Sequence, residues 1–474
     1  MYNEIILEEK NLCDLVNIEE NYFNDVKSKE ITPKKLSETV SAFANAAGGD
    51  IYIGIAENTR TRVRRWDGFL HIEDANAIVQ MLVGLSPLQN YYDITFLKHP
   101  VLKTYVMQLT ILKSAAIVYA TNNKVYVRHN AQKIPIDTDE KMRRLELDKG
   151  IAHFEDEVIP ETEVSDAVES EVMKLFAEYA VPHVDRIQWL KKQKLFNGIS
   201  LNVAGAILFM DEPQIVLAKR SAIKIFRYKT SGSATRDTLD SLPLTIEGSA
   251  YHQIYGAVKK VKEIIEGIKK LDDTFESIEY PDETLHEIIT NAVLHRDYSI
   301  ITDIQIRIFD NRVEVESPGK LPGYVTVRNI LDSQSARNPK IVRIINKFPD
   351  APNKDVGEGL NTAFAAMEKL RLKDPEIHET ENSVLVIIKH EKLASPEEQI
   401  IEYLQTHDRI KNGQGRKITG ISSENTMKGV FYRLRDSGFI TLVKGYNYWE
   451  KTPQFSKLVS EQFSEINKNL GKDD

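Results

Sequence analysis

The sequence predicts a multidomain protein of the α+β class, and three observations carry that prediction. At 474 residues the chain is about three times the length of a common domain, so roughly three separate cores are expected. Helical apolar stripes and period-two strand runs both occur in its first third and again beyond residue 281. Ser395-Pro396-Glu397-Glu398 then has the order of a helix start with proline at the first helical position, which opens a further domain. Hydrophobic residues are 42% and charged residues 28%, ordinary globular usage that excludes collagen-like and wholly disordered chains.

Residues 1–150 read as one compact α+β unit. Periodicity from Lys34 to Asn45 predicts a helix, Gly48-Gly49 a sharp turn, and Asp50-Ile-Tyr-Ile-Gly-Ile55 a strand. The alternating runs Tyr105–Ile111 and Lys124–Arg128 predict two more strands, and Thr138-Asp-Glu starts a helix that ends near Leu147. Residues 151–280 read as a connecting, partly helical region packed with the domain that follows. In it Val203–Met210 is a buried segment and Ala250 to Lys270 has helical periodicity with lysines at exposed positions. Within 281–392, Leu285, Ile288, Ile289, Ala292 and Val293 form the stripe of one helix, with Pro281, Asp282 and Glu283 in its first turn. Ile304, Ile306 and Ile308 alternate, Asp310-Asn311 turns, and Val313 and Val315 alternate again, which predicts a hairpin. In 393–455, a helix from Ser395, a second from about Ser423 with Met427, Val430, Phe431 and Leu434 inward, a stop at Gly438 and a Phe439–Trp449 hairpin resemble a winged helix. Residues 456–474 form a polar tail.

Several chemistries are excluded or left without support. Cys13 is the single cysteine, so neither an intrachain disulfide framework nor a cysteine-based zinc site can form. No histidine pair has metal-ligand spacing on a predicted helix, and no Ser-His-Asp context is present. Met1-Tyr-Asn-Glu does not start a secretory signal and no apolar run is long enough for a bilayer, so a soluble, cytoplasmic protein without membrane contact is expected. The net charge, 62 minus 70 or −8, argues against a uniformly basic coat. Two local patches are the candidates for a polyanion: Arg60, Arg62, Arg64 and Arg65, and the stretch Arg409 to Lys444, which contains Lys428, Arg433, Arg435 and Lys444.

Three constellations carry chemistry. The first is Glu20, Asp25 and Lys27 with Glu57. Converging carboxylates hold a divalent cation such as Mg or Mn, and a lysine steadies the phosphate being cleaved. Arg60, Arg62 and Arg64 at period two would line one face of an extended segment as a phosphate-tracking row. A solvated acidic stretch and a charged strand edge have the same spacing. The second is Glu287 and Asn291, four apart on one helix face with His295 continuing it. There an amide ligates Mg on a nucleotide and a carboxylate one turn earlier orients water, although a surface pair has the same spacing. Glycine turns at Gly319, Gly357 and Gly359 offer backbone N–H groups to phosphates. The third is the C-terminal module, where Lys428, Arg433 and Arg435 lie on the helix that would meet DNA and Lys444 with Tyr446 on the wing; protein contact is the alternative use.

The order Glu20-x4-Asp25-x-Lys27, Ser41-Ala-Phe-Ala-Asn-Ala-Ala-Gly-Gly-Asp-Ile-Tyr-Ile-Gly-Ile55, Val125-Tyr-Val-Arg128 and a helix near Asp139 resembles the Schlafen-type AlbA-like domain. The resemblance implies nucleic-acid binding and, in nuclease-active members, a Glu, Glu, Asp trio that cuts transfer and ribosomal RNA. Glu20 matches the first position, Asp25 stands where Glu is usual, and Glu57 is near the third. Leu285-His-Glu-Ile-Ile-Thr-Asn-Ala-Val-Leu-His-Arg-Asp-Tyr298, Glu316-Ser-Pro-Gly319, Ser335-Ala-Arg-Asn-Pro339 and Gly357-Glu-Gly359 resemble the divergent ATPase domain often fused behind it. That domain is of the gyrase, histidine-kinase and MutL (GHKL) type, an α/β sandwich. The adenine-reading Asp-x-Gly-x-Gly of the wider superfamily is absent and Lys320 replaces a glycine often seen in this branch.

Two functions follow as expectations. In one, Glu20, Asp25 and Glu57 bind Mg or Mn and cut an RNA of the tRNA class, Lys27 stabilises the phosphate, and ATP on Glu287 and Asn291 controls the activity. The resemblance adds a role in anti-phage defence and a homo-oligomer. In the other, the acidic residues are structural and the chain is an ATP-binding, DNA-binding transcriptional regulator. Whether the three carboxylates converge on one basic groove separates the two.

Overall fold

The computed structural model describes residues 2–58, 60–88, 91–217, 221–268, 282–352, 359–370, 372–380, 382–389, 396–419, 421, 423–443 and 448–459. Gly357, Lys444, Tyr446, Pro281, Ser395 and the chain beyond residue 459 lie outside them. Two compact units are present: residues 1–264 with 280–366 and 375–388, and residues 265–279 with 367–374 and 389–474. The predicted α+β class holds throughout.

The first unit begins with a five-stranded mixed sheet in the order Asn3–Ile6, Tyr92–Lys98, Tyr105–Ile111, Gly49–Ile53, Asn24–Lys27. Its outer pairs are parallel and its inner pairs antiparallel. Because successive strand residues point to opposite faces, Ile51 and Ile53 join Phe96, Met107 and Leu109 under the helices Pro33–Ala44 and Asn76–Gly84, whereas Tyr52 packs with Val26, Leu97 and Val106 on the other side. The predicted helix at Lys34–Asn45 is realised as Pro33–Ala44, capped by Thr32, whose hydroxyl accepts from the Lys35 N–H. A chain turning from that helix into the strand Gly49–Ile53 must pass close to Phe23 and Phe43, and a Cβ on Gly49 would meet the Phe23 carbonyl oxygen at 2.3 Å. The hairpin Val125–His129 with Gln132–Ile136 lies against the same helix, fixed by Ser41 and Asn45: the Ser41 hydroxyl accepts from the Tyr126 N–H at 3.2 Å and the Asn45 amide donates to the Tyr126 carbonyl at 3.1 Å.

The second sheet of this unit has six strands in the order Leu244–Ile246, Ile223–Arg227, Ile304–Ile308, Arg312–Pro318, Ser383–Lys389, Glu376–Glu379. The predicted hairpin is present, with Ile306 opposite Val315. Part of 151–280 completes the sheet of the following domain: Ile223–Arg227 runs parallel to Ile304–Ile308, with Ile223 opposite Ile304. The helix Val203–Phe209 is buried along its whole length, and Ala250–Glu266 is helical as its periodicity predicts. The predicted stripe lies on the helix Asp282–Leu294, with Leu285, Ile288, Ile289, Ala292 and Val293 all buried.

The second unit contains the helices Pro396–Thr406, Asn412–Thr419 and Glu424–Asp436 and an antiparallel sheet in the order Arg409–Ile410, Trp449–Lys451, Ile440–Leu442. Ser423 caps the third helix, Met427, Val430, Phe431 and Leu434 face inward, and Gly438 leaves it at φ +82°. Among the described residues no helix is long and apolar enough to cross a membrane.

Candidate functional site

The amino-terminal carboxylates divide between two places. Asp25 pairs in register with Ile51, so its side chain belongs to the helix-covered face of the sheet and is 2% exposed. A buried carboxylate needs compensating charge, and it finds two cations. Arg128 donates to one oxygen at 3.0 Å while also donating to the backbone carbonyls of Asn21 and Asn24, and Lys27 donates to the other oxygen. The Arg128 guanidinium also lies 4.6 Å from the centre of the Phe43 ring.

Glu20 and Glu57 gather elsewhere, around Arg64. Glu57 is the cross-strand partner of Arg64 in the small ladder Ile55–Glu57 with Arg64–Trp66, and the guanidinium reaches Glu57 at 3.1 Å and Glu20 at 3.3 Å. Hydrogen bonds from Arg64 and then Arg62 hold the Glu57 carboxyl below the usual carboxylate range. This cluster lies near Ile18 and Trp66, which pack with Val26 and Tyr52 on the face of the sheet opposite Asp25. Among the described residues, no group of three or more His, Cys, Asp or Glu side chains is placed to hold a metal ion.

The arginine row is also rearranged. Arg60 and Arg62 do not share a strand face with Arg64: the Asn58 side chain accepts from the N–H groups of Arg60 and Thr61, its carbonyl accepts from Arg62, and Arg62 adopts φ +60°. An asparagine turn has bent the segment back, so only Arg64 and Arg65 are extended, on opposite faces. Arg60, Arg62 and Arg65 are exposed.

Glu287 and Asn291 meet as the helical spacing predicts, the Asn291 amide donating to a Glu287 oxygen at 2.8 Å. Both line a cavity of about 390 Å³, together with His295, Ser317, Gly319 and Lys320. The volume is within the range of small-ligand pockets, roughly 300–1,000 Å³. Burial raises the Glu287 carboxyl above its usual range, the Asn291 hydrogen bond opposing it. Burial and then the nearby Arg337 charge push the His295 imidazole down to about 4, and its Nδ1 is buried with no hydrogen-bond partner among the described residues. Gly319 passes the cavity at φ +104°, where a Cβ would meet the Asp297 Cβ at 2.6 Å. Gly359 starts the helix Gly359–Lys369. The basic residues of the third helix of the second unit are paired: Lys428 with Glu424 at 2.9 Å, Arg433 with Glu397 at 2.6 Å, Arg435 with Asp436 at 2.7 Å. Exposed pairs of this kind are worth roughly 0–1 kcal/mol and exchange readily for another anion.

Charged residues that spacing does not single out join the two sheets. Asp297, 1% exposed, accepts from Arg337 at 3.0 Å and from Arg144 on the helix Asp139–Asp148, and Lys113 and Lys149 donate to backbone carbonyls near the same joint. Only Asp297 and Arg337 lie within a recognisable motif, and nothing in their spacing names a partner.

Two families of known proteins match parts of the chain. Residues 20–137 match the family described as "Schlafen, AlbA_2", and residues 302–388 match the one described as "Putative ATP-dependent DNA helicase recG C-terminal". The chain therefore carries a Schlafen AlbA-like domain followed by an ATPase-type domain, a combination that supports a nucleic-acid-related function. No curated protein matches the chain. Among solved structures it is similar to the DIP2311 protein from Corynebacterium diphtheriae, at 17% identity over 96% of this chain and 97% of that one, with a TM-score of 0.41.

Proposed function

We propose that the chain is an ATP-binding, nucleic-acid-binding regulator in which the amino-terminal carboxylates are structural. The observation that carries this reading is Asp25: both of its oxygens are committed to cations, Arg128 and Lys27, beneath a helix-covered face. A ligand taking those oxygens would leave the buried Arg128 charge without its partner, at a cost of several kcal/mol. Nucleic acid would be held by exposed cations, Arg60, Arg62 and Arg65 on the first unit and Lys428, Arg433 and Arg435 on the second, which we read as a winged helix with Glu424–Asp436 presented to DNA.

ATP is assigned to the cavity beside Asp282–Leu294. The residues fit it: an oriented amide and carboxylate one helical turn apart, a buried imidazole nitrogen with no partner among the described residues, and a glycine held close to the wall. Bound Mg-ATP would supply a phosphoanhydride bond. Asn291 would hold the Mg and Glu287 would orient a water or take its proton, its raised pKa suiting it to a base role. Titration calorimetry with a non-hydrolysable ATP analogue tests this: the unsubstituted chain should bind and Asn291→Ala should lose at least about tenfold in affinity, the order expected when a metal ligand is removed. Equal affinity would refute the assignment.

One observation favours nuclease activity as a second reading. Glu20 and Glu57 converge on a shared cation, Arg64, so Mg or Mn displacing that guanidinium would sit between two carboxylates. Incubation of structured RNA with Mn distinguishes the two. Cleavage that is lost in Glu20→Ala, Glu57→Ala would establish the nuclease, whereas identical, undiminished RNA with both proteins supports the binder.

A further inference from the structure

The segment Leu321–Val325 forms part of the cavity wall, and it is gripped from outside the cavity by two side chains and one backbone carbonyl. Lys113 follows the central strand Tyr105–Ile111 of the amino-terminal sheet by two residues, and its ammonium donates to the Leu321 carbonyl at 2.7 Å and the Val325 carbonyl at 3.0 Å. Glu379, on the last strand of the second sheet, accepts from the Leu321 N–H at 2.7 Å. The carbonyl of Asp148, at the end of the helix Asp139–Asp148, accepts from the Gly323 N–H at 3.2 Å. One lysine can satisfy both carbonyls only while the segment keeps its present curvature, so the position of this wall and the position of Lys113 are one variable.

Lys113 is joined just as closely to its own domain. The next residue, Ser114, donates its N–H to the carbonyl of Ala44, the last residue of the helix Pro33–Ala44, and Lys149 bridges Ala44 and Ser114 by donating to both carbonyls. That helix carries Ser41 and, just past its end, Asn45, the two side chains that hold the hairpin from which Arg128 reaches Asp25. Burial pushes the Lys113 ammonium down to about 8, Glu379 and Asp148 opposing the shift while Arg337 and Lys320 add to it. A donor in such surroundings is costly to leave unpaired, so movement of the wall transmits force to the strand end instead of simply breaking the bonds.

We propose that Lys113 is a positioning residue for the nucleotide cavity and that, through it, occupancy of the cavity and nucleic-acid binding by the amino-terminal domain are thermodynamically coupled. This rests on the ATP reading above. Coupling is reciprocal: whatever factor the nucleotide applies to nucleic-acid affinity, nucleic acid applies to nucleotide affinity.

The test measures the affinity of a fluorescent RNA oligonucleotide for the full chain by anisotropy, with and without a saturating non-hydrolysable ATP analogue, and repeats it with Lys113→Met. The unsubstituted chain should show a change of about fivefold or more, the lower end of ordinary allosteric coupling, and Lys113→Met less than about twofold while still binding both ligands. Lys113→Arg, which keeps a charged donor, should restore part of the coupling. Should Lys113→Met fail to fold, hydrogen exchange on the unsubstituted chain decides: the analogue should alter exchange at Ser114 and Asn45 as well as along Leu321–Val325. Both ligands binding independently, or exchange changing in the cavity wall alone, would overturn the coupling and leave the cavity reading intact. Absence of analogue binding would overturn the cavity reading and the coupling with it.

Discussion

Asp25 and Arg128 show how a single partner changes the chemistry of a residue. A carboxylate free in a groove is a metal ligand; the same group beneath a helix, held by a guanidinium that also ties two backbone carbonyls, is a staple for its domain. Arg128→Met should destabilise the first unit by about 3 kcal/mol in urea unfolding, because it breaks a buried ion pair and leaves Asp25 only Lys27 as a cation. Arg64→Met should cost much less, since Glu20 and Glu57 keep access to water. Lys149 gives a prediction in pH. Burial, and then the Lys113 charge, push its ammonium down to about 7 from 10.5, so between those values the unfolded chain binds more protons than the folded one. This group therefore makes stability rise with pH across that window, and its contribution is lost as pH falls through about 7. Urea midpoints followed from neutral to alkaline pH should show a smaller rise in Lys149→Met than in the unsubstituted chain.

At the level of elements, the cavity is built by a helix that presents two side chains and by loops that must come close. Gly319 belongs to the second kind. At φ +104° and with the Asp297 Cβ in the way, Gly319→Ala combines backbone strain with a clash, and a loss of about 1–3 kcal/mol is expected in thermal or urea unfolding together with weaker nucleotide binding. The helix Glu424–Asp436 depends on its first turn, where the Ser423 hydroxyl accepts from the Thr426 N–H at 3.3 Å. Ser423→Ala should cost about 1 kcal/mol of the second unit's stability. Since Lys428, Arg433 and Arg435 are on this helix in exposed pairs, replacing all three with alanine should leave folding intact by circular dichroism and flatten the salt dependence of DNA binding, by about one unit of slope for each phosphate no longer neutralised.

At the level of the whole molecule, the chain is organised around a joint that a linear division at residue 150 conceals. Lys113 follows a strand of the amino-terminal sheet and Arg144 lies on the helix Asp139–Asp148, yet Lys113 holds the cavity wall and Arg144 reaches Asp297 across more than a hundred positions of sequence. The union of 1–264 with 280–366 in one compact unit reflects that joint. An isolated fragment 1–150 would leave Lys113 without the Leu321 and Val325 carbonyls and Arg144 without Asp297. It should unfold at lower urea than the same residues within the full chain, as followed by exchange of the Ile51 and Leu109 amides.

Local repetition was enough to read the helices at Pro33–Ala44 and Asp282–Leu294, the hairpin Ile304–Ile308 with Arg312–Pro318, and the meeting of Glu287 with Asn291, since a helical turn brings residues four apart together whatever surrounds them. The strand Ile223–Arg227 escaped the same reading because five residues carry too little period, and its place beside Ile304–Ile308 comes from long-range pairing. The fates of Asp25, Glu20, Glu57 and the arginines also lay beyond spacing. Which face of a sheet a carboxylate takes, and which cation waits there, depends on strand register and on a turn at Asn58, and these exist only once distant segments have packed.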